Sequence, residues 1–126
     1  MRLAAYVYTG WHPIPERDAS FHEGFTEWEL VRSCRARFGG HGQPRVPMLG
    51  AYDDRDPVEV GRRLNLALGH GIGAFVYGVF WCRGKRVFEQ ALNEGYLGSD
   101  EGSTAPFALM WANRMPRRVL PVRRSE

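Results

Sequence analysis

Three short runs of almost uninterrupted apolar residues constrain the fold of this chain most. They are LAAYVY (residues 3–8), IGAFVYGVF (72–80) and PFALMWAN (106–113). An apolar run of this length predicts a strand that is buried on both faces, as in a parallel sheet. Because segments with helical spacing lie between the runs, the order predicts parallel βαβ units.

Helix signals mark the segments between these runs. Asp56 can cap a helix that begins at Pro57, and two glycines follow its last apolar residue, so we expect a helix over residues 57–68. The sequence TEWE, which starts at Thr26, is a capping-box pattern and predicts a helix over about 27–37. A third helix is predicted over about 83–97.

The charge of the chain gives little indication of a nucleic-acid partner. The net charge is +3, and 16 of the 17 basic residues are Arg. Residues 114–126 contain five Arg and one Glu, so the remaining residues carry twelve cations and thirteen acids. We therefore expect a nearly neutral body, residues 1–113, a basic and disordered tail, residues 114–126, and no nucleic-acid binding.

The cysteines and the apolar segments exclude several other classes. Cys34 and Cys82 form no CxxC motif, which indicates neither a zinc site nor a disulfide framework. No signal peptide precedes Leu3, and no apolar run approaches the length that spans a membrane. We expect a cytoplasmic protein without a membrane span.

Aromatic and polar residues follow the ends of the predicted strands. Trp11 and His12 come after the first strand, Trp81 after the second, and Trp111 and Asn113 end the third. Ligands of parallel α/β sheets gather beyond the carboxyl ends of the strands, and Trp rings stack on the C–H faces of sugars. This pattern predicts a carbohydrate site.

Each of these residues also has an ordinary structural interpretation. A Trp at a strand end more often packs at the rim of a fold, and His12 before Pro13 could bond only to backbone in the turn. Glu27 could be a ligand or a carboxylate that serves a helix dipole. His70 is better explained as a helix C-terminal cap.

A cluster of acidic residues could also suggest a metal site. Asp53, Asp54 and Asp56 lie close together in the sequence, but Asp56 is taken up by the helix cap. We therefore expect no metal and no cofactor.

Five motifs, in order and spacing, resemble the amino-terminal part of the WbsX-like glycosyltransferase family, which is related to the family-99 glycoside hydrolases. The motifs are HPIPE (12–16), GFTEW (24–28), GHGQPRVPMLGAYDDRDP (40–57), GIGAFVYGVFWCRGKRVFEQAL (71–92) and PFALMWAN (106–113). The resemblance implies a (β/α)8 barrel of the TIM type, of which this chain would form roughly the first three β/α units. It also implies activity on a polysaccharide or oligosaccharide of the O-antigen type.

The resemblance also implies which residues lie near the substrate. Carried over by position, these are His12, Glu27, Trp28, His41, Gln43, Tyr52, Trp81, Trp111 and Asn113. The long segment from Trp11 to Trp28 would be the first large loop of the barrel and would line the sugar cleft.

The chain departs from the family pattern after Asn113. Relatives continue into Glu-Asn-Trp-Thr or a similar sequence, whereas this chain continues into Arg114-Met115-Pro116-Arg117. The catalytic Asn-Glu-Trp-x-Glu motif has no counterpart, and a full barrel needs about 250 residues. We expect a chain truncated by a frameshift or premature stop, without catalytic residues and inactive alone.

Two alternatives stay open. One is a non-catalytic carbohydrate-binding module, and the other is a split enzyme that a second chain completes. Three strands leave the edge of a barrel unpaired, so we also expect self-association or a completing chain. The sequence does not decide between a transferase and a hydrolase.

Overall fold

The computed structural model of the protein describes residues 3–82 and 84–112, which form one mixed sheet with helices. Along the chain the elements are β1 (Leu3–Val7), α1 (Pro15–Ser20), α2 (Glu27–Ser33), α3 (Pro57–Gly69), β2 (Ile72–Cys82), β3 (Lys85–Val87), a π-helix (Ala91–Tyr96) and β4 (Phe107–Trp111). The α/β class predicted from the sequence is confirmed. Asn113, Arg83 and the predicted tail, residues 114–126, lie outside the described residues.

Strand β2 is the centre of the sheet. β1 pairs with it in parallel, with Val7 opposite Tyr77, and β4 pairs with it in parallel, with Leu109 opposite Tyr77. The predicted parallel strands are therefore present. The short strand β3 pairs antiparallel with the end of β2, with Phe80 opposite Val87, so the sheet is only partly parallel.

The helix predicted over residues 83–97 is wrong in its first half. β2 continues to Cys82, and Gly84 has a φ of 83°, which allows a tight turn into β3. Val87 and Phe88 are buried as expected, but they pack beside Ile14 after a hairpin rather than on a helix face. In the described part of this segment, helical structure covers only Gln90 and the π-helix (Ala91–Tyr96).

Helix α3 forms as its local signals predict. The side chain of Asp56 accepts hydrogen bonds from the backbone amides of Val58 (2.9 Å) and Glu59 (3.3 Å). His70 occupies the C-cap position, and its Nδ1 lies 2.7 Å from the Leu66 carbonyl oxygen. Gly71 has a φ of 89°, which ends the helix and leads into β2.

Helix α2 is shorter than predicted, and α1 was not predicted. α2 ends at Ser33 instead of near residue 37, and its N-cap residue Thr26 makes no side-chain capping bond. Glu29, the last residue of the capping box, forms an ion pair with His22 at 2.9 Å instead. Helix α1 begins at Pro15 inside the segment that the sequence suggested was a loop.

The larger of the two core clusters lies on one face of the sheet. Val60 and Leu64 of α3 pack on Phe75 and Tyr77 of β2, together with Tyr96 of the π-helix. The expectation of strands buried on both faces is wrong, because α3 and the π-helix cover only this face of the described sheet. All five residues of β4 are exposed, and Tyr6 of β1 is 76% exposed.

Candidate functional site

A buried guanidinium organises the segment that follows β1. Arg17 of α1 is 1% exposed, and it donates hydrogen bonds to the Gly10 carbonyl oxygen (3.0 Å), the Tyr8 hydroxyl (3.0 Å) and Glu27 Oε1 (2.5 Å). The Tyr8 hydroxyl donates to the same Glu27 oxygen at 2.9 Å. The guanidinium also lies 4.6 Å from the ring centroid of Phe88. These contacts fix the end of β1 against the start of α2.

An aromatic group lies next to this ion pair. The rings of Trp11 and Trp28 stack with centroids 4.0 Å apart, and Trp28 Nε1 donates to the Tyr52 carbonyl oxygen at 2.7 Å. The guanidinium of Arg63 lies 3.7 Å from the centroid of the Tyr52 ring. The structure therefore brings together three of the predicted site residues, Glu27, Trp28 and Tyr52.

His12 pairs with a carboxylate rather than with backbone. Its ring is completely buried, and Nδ1 lies 2.5 Å from Asp54 Oδ1. The other oxygen of Asp54 accepts a hydrogen bond from the Trp11 amide at 3.3 Å. His12 Nε2 is buried without a hydrogen-bond partner in the described part of the chain. The pair joins the turn after β1 to the loop before α3.

His12, Asp53 and Asp54 place possible metal-ligand atoms within 4.8 Å of one another. Each carboxylate already has a partner, however. Arg55 binds both oxygens of Asp53, and although partial burial raises the pKa of Asp53, these hydrogen bonds outweigh it and lower that pKa below its usual value. A cation at this cluster would therefore compete with Arg55 for Asp53 and with His12 for Asp54.

A second aromatic group is formed by Trp81 and Trp111. The two rings stack with centroids 6.3 Å apart and an interplanar angle of 26°. They stand at the carboxyl ends of β2 and β4, where the register places Trp111 opposite Val79. Trp81 is 49% exposed and Trp111 is 61% exposed, so both rings are accessible at the surface.

Two other predicted site residues, His41 and Gln43, make their contacts elsewhere. His41 stacks on Phe38, with centroids 4.6 Å apart, and accepts a hydrogen bond from the Arg37 amide. Gln43 donates its backbone amide to the His41 carbonyl oxygen and precedes the cis peptide bond to Pro44. These contacts stay within the loop between α2 and α3. Asn113 lies outside the described residues.

Sequence reasoning missed two of the groups that build the site. Arg17 gave no signal, because its partners Tyr8, Gly10 and Glu27 follow no motif that links them to an arginine. Asp54 was noticed only as part of a possible metal cluster, although it is the partner of His12 across 42 residues. The density of aromatic residues between Trp11 and Trp28 was the available signal, and it pointed to the right segment.

Comparison with known proteins identifies the family of this chain. The family model for Glycosyltransferase WbsX matches residues 3–124. The chain belongs to the WbsX glycosyltransferase family. The match includes residues 114–124, which lie beyond the five motifs that carry the resemblance.

Two relatives of this WbsX family chain are each named "Uncharacterized protein WxcX" and come from Xanthomonas campestris pv. campestris, strains B100 and ATCC 33913. Each is 41% identical over 112 residues, which is 88% of this chain. The chain spans only 16% of the length of these relatives. No solved structure matches it. None of the helices in the described residues is long and apolar enough to cross a membrane.

Replacing Arg17 with Met should destabilise the fold far more than the same change at Arg55. Arg17 is buried, and its removal takes the charged partner from Glu27 and one donor from the Gly10 carbonyl, at an expected cost of about 3–5 kcal/mol. The side chain of Arg55, which pairs with Asp53, is 34% exposed. Its replacement should therefore lower the free energy of unfolding by about 1 kcal/mol or less. Urea denaturation of both variants measures the difference, and equal losses would contradict the organising role of Arg17.

Proposed function

We propose that this chain binds saccharide as part of a carbohydrate-active protein of polysaccharide (O-antigen-type) metabolism, similar to a glycosyltransferase or a glycosidase. Membership of the WbsX family supports a polysaccharide-related role. The observation that carries the proposal is the exposed, stacked pair of Trp81 and Trp111 at the strand ends.

The chemistry of this pair suits a sugar ring. An indole offers a flat apolar face that can stack on sugar C–H groups and a polar edge that can bond a hydroxyl. Because both indoles lie at the surface, they expose apolar area to water, and a bound ligand would cover this area. We therefore propose Trp81 and Trp111 as the main stacking surface for the saccharide.

The other predicted site residues fall into groups according to how exposed their side chains are. Glu27 and Tyr52 are partly exposed and can reach hydroxyl groups, so we propose them as polar contacts. His12 is completely buried and Trp28 is 8% exposed, so we propose that they hold the loops in place. His41, Gln43 and Asn113 are proposed as contacts on the family resemblance.

We propose that this chain supplies binding groups and does not by itself cleave a glycosidic bond. Glycoside cleavage generally uses two carboxyl groups that are free to act as acid, base or nucleophile. Three carboxylates of the candidate site are instead engaged by basic side chains: Glu27 by Arg17, Asp53 by Arg55 and Asp54 by His12.

We also propose that the sheet corresponds to the first three strands of a (β/α)8 barrel. Strands β1, β2 and β4 are parallel neighbours in chain order, and α3 lies between β1 and β2 in the sequence, as a β/α unit requires. The hairpin that includes β3 departs from the regular pattern.

Replacing either Trp81 or Trp111 with Ala should weaken saccharide binding about tenfold, because each change removes one stacking face. Leu109→Ala is the matched control, because Leu109 is a 57% exposed apolar residue on the same strand as Trp111. Titration with oligosaccharides released from an O-antigen polysaccharide, followed by calorimetry, measures the affinities. Unchanged affinity in both Trp variants would refute the proposed stacking surface.

A second candidate role is that of a module completed by another chain or another copy. In the described residues β4 pairs only with β2, so its outer edge is open, and the strand FALMW carries no charge. An exposed apolar edge strand is a surface on which a further strand can pair. This observation favours self-association or a completing chain.

Met110→Lys should reduce self-association, because it places a charge on β4, where Met110 is 41% exposed. Light scattering coupled to size exclusion, over a range of concentrations, measures the mass. Leu66→Lys on α3 is the control, because Leu66 is similarly exposed, at 43%, and lies away from this edge. A monomer at every concentration in the unchanged protein would rule out self-association.

A further inference from the structure

A cavity of about 260 Å³ lies between β1 and α3, and neither Trp81 nor Trp111 lines it. Much of its wall is apolar and is formed by Ala5, Val7, Leu64, Ala67 and Phe75. Drug-sized ligands usually occupy cavities of about 300 Å³ or more, so this volume suits a ligand with a single ring.

Polar groups line another part of the same cavity. They include the side chains of Tyr8, Tyr52, Tyr77, Asp54 and Arg63. Tyr77 is 3% exposed, yet neither its hydroxyl nor that of Tyr52 takes part in a hydrogen bond within the described residues. Tyr96, in the same core, donates its hydroxyl to the Ala105 carbonyl oxygen at 2.9 Å. The hydroxyls of Tyr52 and Tyr77 are therefore free to bond a ligand that enters the cavity.

The ionisation of the phenols fits a donor role. Burial raises the pKa of Tyr77 well above its usual range, and the nearby Tyr96, Tyr52 and Asp54 raise it further. Burial and the charge of Asp54 likewise raise the pKa of Tyr52. Both hydroxyls therefore stay protonated at neutral pH and can donate hydrogen bonds to ligand oxygens.

The two kinds of wall restrict the chemistry of the ligand. A hydroxyl turned toward Ala5, Val7 and Ala67 would lose its water partners and gain none. A hydroxyl turned toward Asp54 could donate to the carboxylate, and ring oxygens could accept from the phenols. The ligand should therefore combine one apolar edge with one edge that carries hydroxyls.

We propose that this cavity is a subsite for one 6-deoxy sugar residue, whose methyl-bearing edge contacts the aliphatic wall and whose hydroxyls bond to Tyr52, Tyr77 and Asp54. The inference rests on the proposed saccharide-binding role of the chain, and it names the class of sugar that the chain would prefer.

Two ligands test the inference on the unchanged protein. Methyl α-L-fucoside and methyl α-L-galactoside differ only by the hydroxyl at C6. We expect the fucoside to bind about tenfold more tightly in an NMR titration of the full chain, because the extra hydroxyl would face the aliphatic wall. Equal affinities, a preference for the galactoside or the absence of binding by both would overturn the inference.

Variants then locate the binding. Ala67→Leu should fill the cavity and lower fucoside affinity at least tenfold, whereas Asn65→Leu adds the same side chain at an exposed position of α3 and should have no effect. Tyr77→Phe removes one free hydroxyl without changing the ring, and it should weaken fucoside binding several-fold. This variant tests the subsite even if Ala67→Leu does not fold. Fucoside affinity unchanged in Tyr77→Phe, and in a folded Ala67→Leu, would overturn the inference.

The outcome separates this inference from the proposed function. If oligosaccharides bind through Trp81 and Trp111 but the chain does not distinguish the two glycosides, the proposed function stands and the subsite is wrong. If the glycosides are distinguished and both Trp variants bind oligosaccharides normally, the subsite stands and the stacking surface is wrong.

Discussion

The contact on which the candidate site depends is that of the buried Arg17 guanidinium with Glu27. A charge that is 1% exposed is costly unless it is hydrogen-bonded, and the two terminal nitrogens of Arg17 donate to Glu27, to Tyr8 and to the Gly10 carbonyl. Its Nε is buried without a partner in the described residues. Since the three partners belong to the end of β1 and the start of α2, the ion pair closes the long segment between them. The stacked rings of Trp11 and Trp28 and the bond between His12 and Asp54 extend this closure to the loop before α3.

The sheet has two different faces, and this difference divides the functional groups. On one face α3 and the π-helix bury Phe75 and Tyr77, and the cavity opens beside them. Exposed residues such as Tyr6 and those of β4 leave apolar surface elsewhere on the sheet. The Trp81–Trp111 pair stands at the strand ends. The proposed saccharide contact and the open strand edge therefore lie next to each other, and they share Trp111 of β4.

The parts of the fold that the sequence predicted are those determined by local interactions. Helix α3 has its cap at Asp56, its first residue at Pro57 and its stop at Gly71, and each signal acts within a few residues. The parts that it did not predict depend on distant partners. Residues 85–87 are a strand because β2 continues far enough to pair with them, although the same segment has a helical pattern.

In the candidate site, too, local patterns were predictable from the sequence and contacts between distant residues were not. The strand-end pattern of aromatic residues pointed to Trp81 and Trp111, and the structure does bring their rings together. The partner of His12 could not be predicted, because Asp54 lies 42 residues away and no motif links them. Burial of the strands was overestimated, because apolar composition alone does not tell which faces another element covers.

The central claim is that the chain binds saccharide through its exposed tryptophans. The chain contains four Trp, so an ¹H–¹⁵N spectrum can follow each indole N–H during a titration with an O-antigen oligosaccharide. The account predicts that the signals of Trp81 and Trp111 shift, while that of Trp28, which is bonded to the Tyr52 carbonyl, stays nearly unchanged. A titration that leaves the signals of Trp81 and Trp111 unmoved at saturating saccharide would contradict it.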